Sequence, residues 1–303
     1  MKGTIVRSTG SFYDVLAEDL KKYTCRIRGK FRQDNIKETN PIAVGDYIEF
    51  DEIDGTISEL LPRRNLIVRQ SVKKTGHTHV LAANVDQALL IATIKMPRTS
   101  LGFIDRFLVS AESFRIPQIL VFNKIDLLNE KDKETIFKLI ELYESIDVKC
   151  LSVSAINDDD FSSLLKILTG KVTLIAGHSG VGKSTLLNRL SPTINQSVRE
   201  ISDFSEKGTH STTFSEMFML DQNSFVIDTP GVKEWGLADM NEQEISDYFL
   251  EMREARLNCK FGSRCLHINE PNCAIIDLVE QGTIAESRYQ NYLNMVTGKD
   301  NRK

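Results

Sequence analysis

Over roughly the first 70 residues, apolar positions alternate with polar ones in short runs and never recur at helical spacing. Gly3-Thr4-Ile5-Val6, Phe12-Tyr13-Asp14-Val15-Leu16-Ala17, Tyr23-Thr24-Cys25-Arg26-Ile27-Arg28, Asp46-Tyr47-Ile48-Glu49-Phe50 and Gly55-Thr56-Ile57-Ser58-Glu59-Leu60 read as five strands. Turn residues such as Asp54-Gly55 separate them. Five strands in so short a span predict a small β-barrel of the OB type over residues 1–70, a shape whose exposed face suits oligonucleotides. Arg63 to His79 is poor in apolar residues and reads as a linker. From Val85 the pattern changes. Mostly apolar runs, among them Val85–Ile94, Gln118–Phe122 and Val172–Ala176, alternate with helical stretches to about residue 235. That alternation predicts a parallel sheet covered on both faces, placed at residues 80–236. Asn241 onward is helical and polar, giving a third unit at 237–303 that ends in a charged tail. No internal repeat is present.

Chemistry sits at the ends of the apolar runs. After Val172–Ala176 comes Gly177-His178-Ser179-Gly180-Val181-Gly182-Lys183-Ser184, followed by the helical Thr185-Leu186-Leu187-Asn188-Arg189-Leu190. This is G-x-x-x-x-G-K-[ST] in a strand–loop–helix context, the loop that cradles nucleotide phosphates on backbone N–H groups. Lys183 would reach the β- and γ-phosphates, and the Ser184 hydroxyl would ligate Mg²⁺. After Gln118–Phe122 comes Asn123-Lys124-Ile125-Asp126, which resembles the guanine-reading motif of GTPases. A carboxylate at Asp126 accepts two N–H bonds from the guanine edge, a donor pair that adenine lacks. Leu151-Ser152-Val153-Ser154-Ala155 resembles the Ser-Ala motif that supports guanine from its other side. Ser224–Asp228 ends in Asp228-Thr229-Pro230-Gly231, placing Asp228 on the Mg²⁺ shell and the Gly231 N–H near the γ-phosphate.

Ordinary GTPases run phosphate loop, switches, then base-reading motif. Here the base-reading residues come first, which is a circular permutation. In that order the whole chain resembles the circularly permuted, ribosome small-subunit-dependent GTPases of the RsgA/YjeQ family. The resemblance implies a central permuted α/β P-loop domain, an N-terminal OB-type barrel and a mostly helical, zinc-binding C-terminal domain. It also implies that GTP binding and hydrolysis gate attachment to the small ribosomal subunit and its rRNA during late maturation. The first switch is then Lys207-Gly208-Thr209-His210-Ser211-Thr212-Thr213, where the family pattern is Gly-x-His-Thr-Thr-Thr and Ser211 departs from it while keeping a hydroxyl. Thr212 and Thr213 are both open as the Mg²⁺ ligand. Val232 stands where a Ras-like enzyme carries the water-orienting Gln, so His210 is the candidate for positioning water, against the alternative of a solvated loop histidine.

Composition adds limits. The chain has 303 residues and a net charge of −4, which excludes a uniformly basic nucleic-acid binder. Residues 1–75 nevertheless carry 14 Lys/Arg against 11 Asp/Glu, a net of +3. Arg26, Arg28, Lys30 and Arg32, with Phe31, could contact RNA, or could equally be charges guarding a strand edge. No apolar run reaches the ~18–20 residues of a membrane span, and Met1-Lys2-Gly3 opens no secretory signal. A cytoplasmic monomer without a membrane partner is expected. Five cysteines in such a chain argue against a disulfide framework. Cys259, Cys265, His267 and Cys273 instead suit one structural, tetrahedral Zn²⁺, although relatives space the first two cysteines one residue closer. GTP and GDP with Mg²⁺ are the other expected ligands. A binding module that uses GTP only as an affinity switch for RNA is the alternative to a turnover enzyme, and an ATP-using protein conflicts with Asn123–Asp126.

Overall fold

A computed structural model describes residues 1–27, 41–70, 78–191, 194, 215–229 and 240–298. The N-terminal strands β1 (Lys2–Ser8), β2 (Tyr13–Ala17), β3 (Lys22–Ile27), β4 (Tyr47–Phe50) and β5 (Thr56–Leu60) fall where alternation predicts them. Their order β1-β2-β3-β5-β4, with β4 returning to β1, closes a five-stranded barrel. Strand closure leaves no open edge within it. Ile5, Tyr13, Val15, Cys25, Ile48, Phe50 and Ile57, the inward half of each alternation, fill its core.

The expected linker is partly a strand pair. β6 (Leu66–Gln70) runs antiparallel to β7 (Thr78–Ala83), with Leu66 opposite Ala83. Its brief apolar content is enough because the partner strand supplies the pairing. Asn84 and Asp86 then accept from Arg64, and Arg63 forks onto buried Asp46 at 2.7 and 2.8 Å, tying this segment to the barrel.

The central unit holds β8 (Gln87–Ala92), α1 (Leu101–Glu112), β9 (Gln118–Phe122), α2 (Glu130–Glu144), β10 (Lys149–Ser152), α3 (Ser162–Leu168), β11 (Val172–Ala176), α4 (Lys183–Leu190), β12 (Glu216–Asp221) and β13 (Ser224–Asp228). Strands lie in the order β10-β9-β8-β11-β13-β12, all parallel except β12. Residues alternate between the two faces. Ala88, Leu90, Leu120 and Phe122 pack with α1 and α2, while Leu89, Ile91, Ile119 and Val121 pack with α3 and α4. Burial on both faces is why these strands are mostly apolar. β12 continues the sheet into the barrel, with Arg7 of β1 opposite Glu216.

The C-terminal unit is helical, with α5 (Glu242–Ile245), α6 (Leu250–Arg253), α7 (Ala274–Glu280) and α8 (Glu286–Val296). Its core gathers Phe249, Met252, Ile275, Tyr292 and Cys259, Cys265 and Cys273, together with Val109 from α1. Among the described residues no helix is long and apolar enough to cross a membrane.

Candidate functional site

Because β9, β10, β11 and β13 are parallel, the turns that follow them open on one edge of the sheet. Motifs well separated in sequence therefore meet there. Asn123 makes the junction. Its amide donates to the Val181 carbonyl of the phosphate loop at 2.8 Å, and its Oδ1 accepts from the Ala155 N–H at 2.9 Å. Gly182, at φ +94°, has room for no side chain, since a Cβ would run into that same Asn123 amide. Asp126 is exposed, and its Oδ1 accepts from the Ser154 hydroxyl at 2.6 Å. Lys124 takes a left-handed turn at φ +64° and donates to the Met96 carbonyl at 2.6 Å. Burial lowers its pKa, and the Asp126 charge opposes that shift.

The phosphate loop runs from buried Gly177 over the exposed Ser179 and Gly180 to buried Val181. α4 begins at Lys183, with Ser184 and Thr185 half-buried in its first turn. Backbone N–H groups at this helix start are oriented to receive an anion. Lys183 Nζ donates to Asp228 Oδ1 and to the Thr229 carbonyl, each at 3.1 Å. The His178 ring lies against Phe103 of α1, tilted by 34° with centroids 3.8 Å apart. Burial, then the nearby Arg106 charge, lowers the His178 pKa.

The sequence reading of this edge named Asn123, Lys124, Asp126, Ser154, Ala155, Gly177–Ser184, Thr185 and Asp228, and the fold brings them together. His210, Thr212, Thr213 and Gly231 lie outside the described residues, as do Arg28, Lys30 and Arg32 of the barrel. Arg26 stands exposed on β3. Two supports escaped that reading: the Met96 carbonyl under Lys124, and Asp158, whose carboxylate accepts the Ser154 N–H at 2.6 Å. Neither carries a sequence signal, because one is a backbone atom and the other belongs to an acidic loop.

A second cluster lies in the C-terminal unit. Cys259, Cys265, His267 and Cys273 are all buried, with their ligand atoms within 4.8 Å of one another. Cys259 and Cys265 Sγ each lie 3.8 Å from Cys273 Sγ, and His267 Nδ1 lies 3.5 and 3.3 Å from Cys259 and Cys273. A tetrahedron with Zn–S of ~2.3 Å has S···S edges of about 3.8 Å, so the donor set and its dimensions fit Zn²⁺. The same spacing is far beyond a disulfide bond. Burial lowers the His267 pKa to about 4, which keeps its imidazole in the neutral, ligating form. Tyr289 and Tyr292 fix the loop by donating to the His267 and Leu266 carbonyls at 2.6 and 2.7 Å.

A sequence model of the RsgA GTPase matches residues 60–238, and one of the RsgA N-terminal domain matches residues 2–58. A small ribosomal subunit biogenesis GTPase RsgA from Phocaeicola vulgatus is 48% identical over 306 residues, spanning 100% of this chain and 98% of that protein. The protein of the same name from Christiangramia forsetii is 46% identical, over 99% of this chain and 97% of its own. Among solved structures, YjeQ from Thermotoga maritima superposes with a TM-score of 0.78 at 34% identity, covering 100% of this chain and 99% of that one. YloQ, described as a circularly permuted GTPase, gives 0.74 at 31%, covering 100% and 96%.

Proposed function

The chain belongs to the RsgA GTPase family, and from that premise we propose that it hydrolyses GTP to GDP and phosphate in the late maturation of the small ribosomal subunit. The observation that carries this reading is Asn123, whose side chain bonds both the phosphate loop and the Ser-Ala motif. One amide thus sets the spacing between where a guanine and where its phosphates are bound. Starting the count at β11 also turns the strand sequence into the ordinary GTPase order, phosphate loop first and base-reading strands last.

In this reading Asp126 reads guanine, Lys124, Ser154 and Ala155 flank the base, and Gly177 to Thr185 hold the phosphates. Lys183 contacts the β- and γ-phosphates, and the Gly231 N–H meets the γ-phosphate. Ser184 and Asp228, with Thr212 or Thr213, hold Mg²⁺, which when bound offsets the negative charge gathering on the phosphates. His210 positions the attacking water. Catalysis then comes mostly from placement and charge stabilisation. Cys259, Cys265, His267 and Cys273 hold one structural Zn²⁺ with no open position. We divide the chain into a barrel at 1–70 that contacts rRNA through Arg26, Arg28, Lys30 and Arg32, a GTPase domain at 80–236, and a zinc domain at 237–303. The protein is read as a cytoplasmic monomer whose partner is the small ribosomal subunit.

The test is turnover of GTP against ATP, with and without small ribosomal subunits, alongside cosedimentation in GDP and in a non-hydrolysable GTP analogue. Hydrolysis selective for GTP, stimulated by subunits, and subunit binding that depends on the nucleotide are expected. Equal use of ATP would sink the guanine reading. GTP-dependent cosedimentation with unstimulated turnover would favour the affinity-switch alternative.

A further inference from the structure

Helix α1 touches both the nucleotide edge and the zinc-bearing unit. At its N-terminal end, the ring of Phe103 lies on His178 of the phosphate loop with centroids 3.8 Å apart. The loop leading into α1 reaches the same site twice. Met96 offers its carbonyl to Lys124, and a Cβ at Gly180 would stand 3.4 Å from Pro97. Further along the helix, Asp105 is 1% exposed and takes three hydrogen bonds. Arg288 Nη1 and Asn291 Nδ2, both from α8, donate to it at 2.6 Å, and the Tyr143 hydroxyl donates at 2.9 Å. Arg288, itself 2% exposed, also forks onto Glu251 of α6 at 2.7 and 2.9 Å and lies over the Phe249 ring at 4.7 Å.

Phe103 and Asp105 are two residues apart, so they point to nearly opposite sides of one helix. A load on Asp105 is carried to Phe103 by the helix as a rigid body. Val109 packs in the same core as Cys259, Cys265 and Cys273, which seats α1 further in the C-terminal unit. Taking the nucleotide edge as the guanine-nucleotide site described above, on which this step rests, we propose that Arg288 and Asn291 are positioning residues for the phosphate loop. They hold α1 by Asp105, α1 holds Phe103 against His178, and the C-terminal unit thereby slows the release of bound nucleotide. A loop that loses its support spends less of its time in the binding form, and apparent affinity falls by that fraction.

The experiment is release of a fluorescent mant-GDP from the full-length protein, followed by stopped flow in the presence of Mg²⁺. Asn291→Ala removes one hydrogen bond, and Arg288→Lys keeps the charge while losing the fork. Each is expected to speed release about three- to tenfold. His178→Ala is expected to speed it by at least as much. The double variant His178→Ala/Asn291→Ala should release no faster than His178→Ala alone, because the support is already gone. Without coupling through α1 the two substitutions would act independently, so a double variant showing the product of the two single effects overturns the proposal. So does release at the wild-type rate from both folded α8 variants. Ile57→Ala serves as the structural control, since it loosens the barrel core, which contains no residue of α1 or α8. It should lower the melting temperature and leave release unchanged; acceleration there would mean general loosening and would also overturn the proposal. Wild-type protein that fails to bind mant-GDP would sink the guanine reading and this step together, whereas wild-type binding with unmoved variants sinks this step alone.

Discussion

Lys183 Nζ and Asp228 Oδ1 lie 3.1 Å apart, with side chains only 11% and 2% exposed. A cation and an anion with little access to water neutralise each other at the point where, in the proposed reaction, phosphate and Mg²⁺ bring charges of both signs. In the function proposed above, phosphate would take the ammonium as its partner and Mg²⁺ would take the carboxylate. Each buried charge thus has a partner of opposite sign beside it.

Lys183→Ala removes the cation and leaves the Asp228 carboxylate buried without it. Loss of one charge-assisted contact is worth ~1.5–3 kcal/mol, so GTP binding is expected to weaken roughly ten- to a hundredfold and hydrolysis to vanish. Isothermal titration and phosphate release measure the two. Wild-type turnover in this variant would place the active site elsewhere.

Asp126→Asn is expected to move preference from GTP toward xanthosine triphosphate. The carboxylate accepts from guanine N–H groups, whereas an amide can donate to the carbonyl of xanthine. The amide oxygen of that variant can still accept from the Ser154 hydroxyl, which in the native chain bonds Asp126 Oδ1 at 2.6 Å, so the loop should keep its shape. Competition between the two nucleotides reads the outcome. Unchanged selectivity for GTP contradicts the assignment.

Purified protein is expected to carry close to one zinc per chain by elemental analysis. Cys273 Sγ is within 3.8 Å of every other donor atom, so Cys273→Ser should lose the metal and lower the melting temperature of the C-terminal unit. Burial pushes the free Cys273 thiol up to about 12, so the metal must displace a firmly held proton. Metal retention should consequently weaken as pH falls. Metal-free wild-type protein with a fully folded C-terminal unit is the contrary result.

His210→Ala is expected to lower turnover while leaving GTP affinity nearly intact, the signature of a contact made chiefly in the transition state. The deficit should be larger in the subunit-stimulated rate than in the intrinsic one. Val232→Ala should matter less, because that side chain has no polar atom. If both rates survive loss of the histidine, water is oriented by other groups.

Legibility of the sequence tracked how local each signal is. β9, β11 and β13 were readable because strands buried on both faces are apolar at most positions, and each ends in a turn with its own chemistry. The zinc cluster was readable because its four ligands fall within 15 residues. β6 was not, since its partner β7 decides its pairing. Arg288 was not either: an arginine on a polar helix reads as solvated, and its partner Asp105 is 183 positions away. The double duty of α1, with Phe103 on one core and Val109 on another, leaves the same amphipathic trace as a helix with a single apolar face.

The pairing of β1 with β12 makes the barrel something other than a bead on a string. Arg7 opposite Glu216 meets the first residue of the last strand of the central sheet, so the first 58 residues act as a selvedge at that end of it. A protein begun at residue 60, where the two family regions divide, would uncover the Glu216 end of β12 as a raw template for stray chains. Such a truncation should scatter light increasingly with concentration, while the intact chain stays clear. The barrel could not, then, be lost or exchanged as a self-contained accessory: its removal would unmake a surface of the domain that remains.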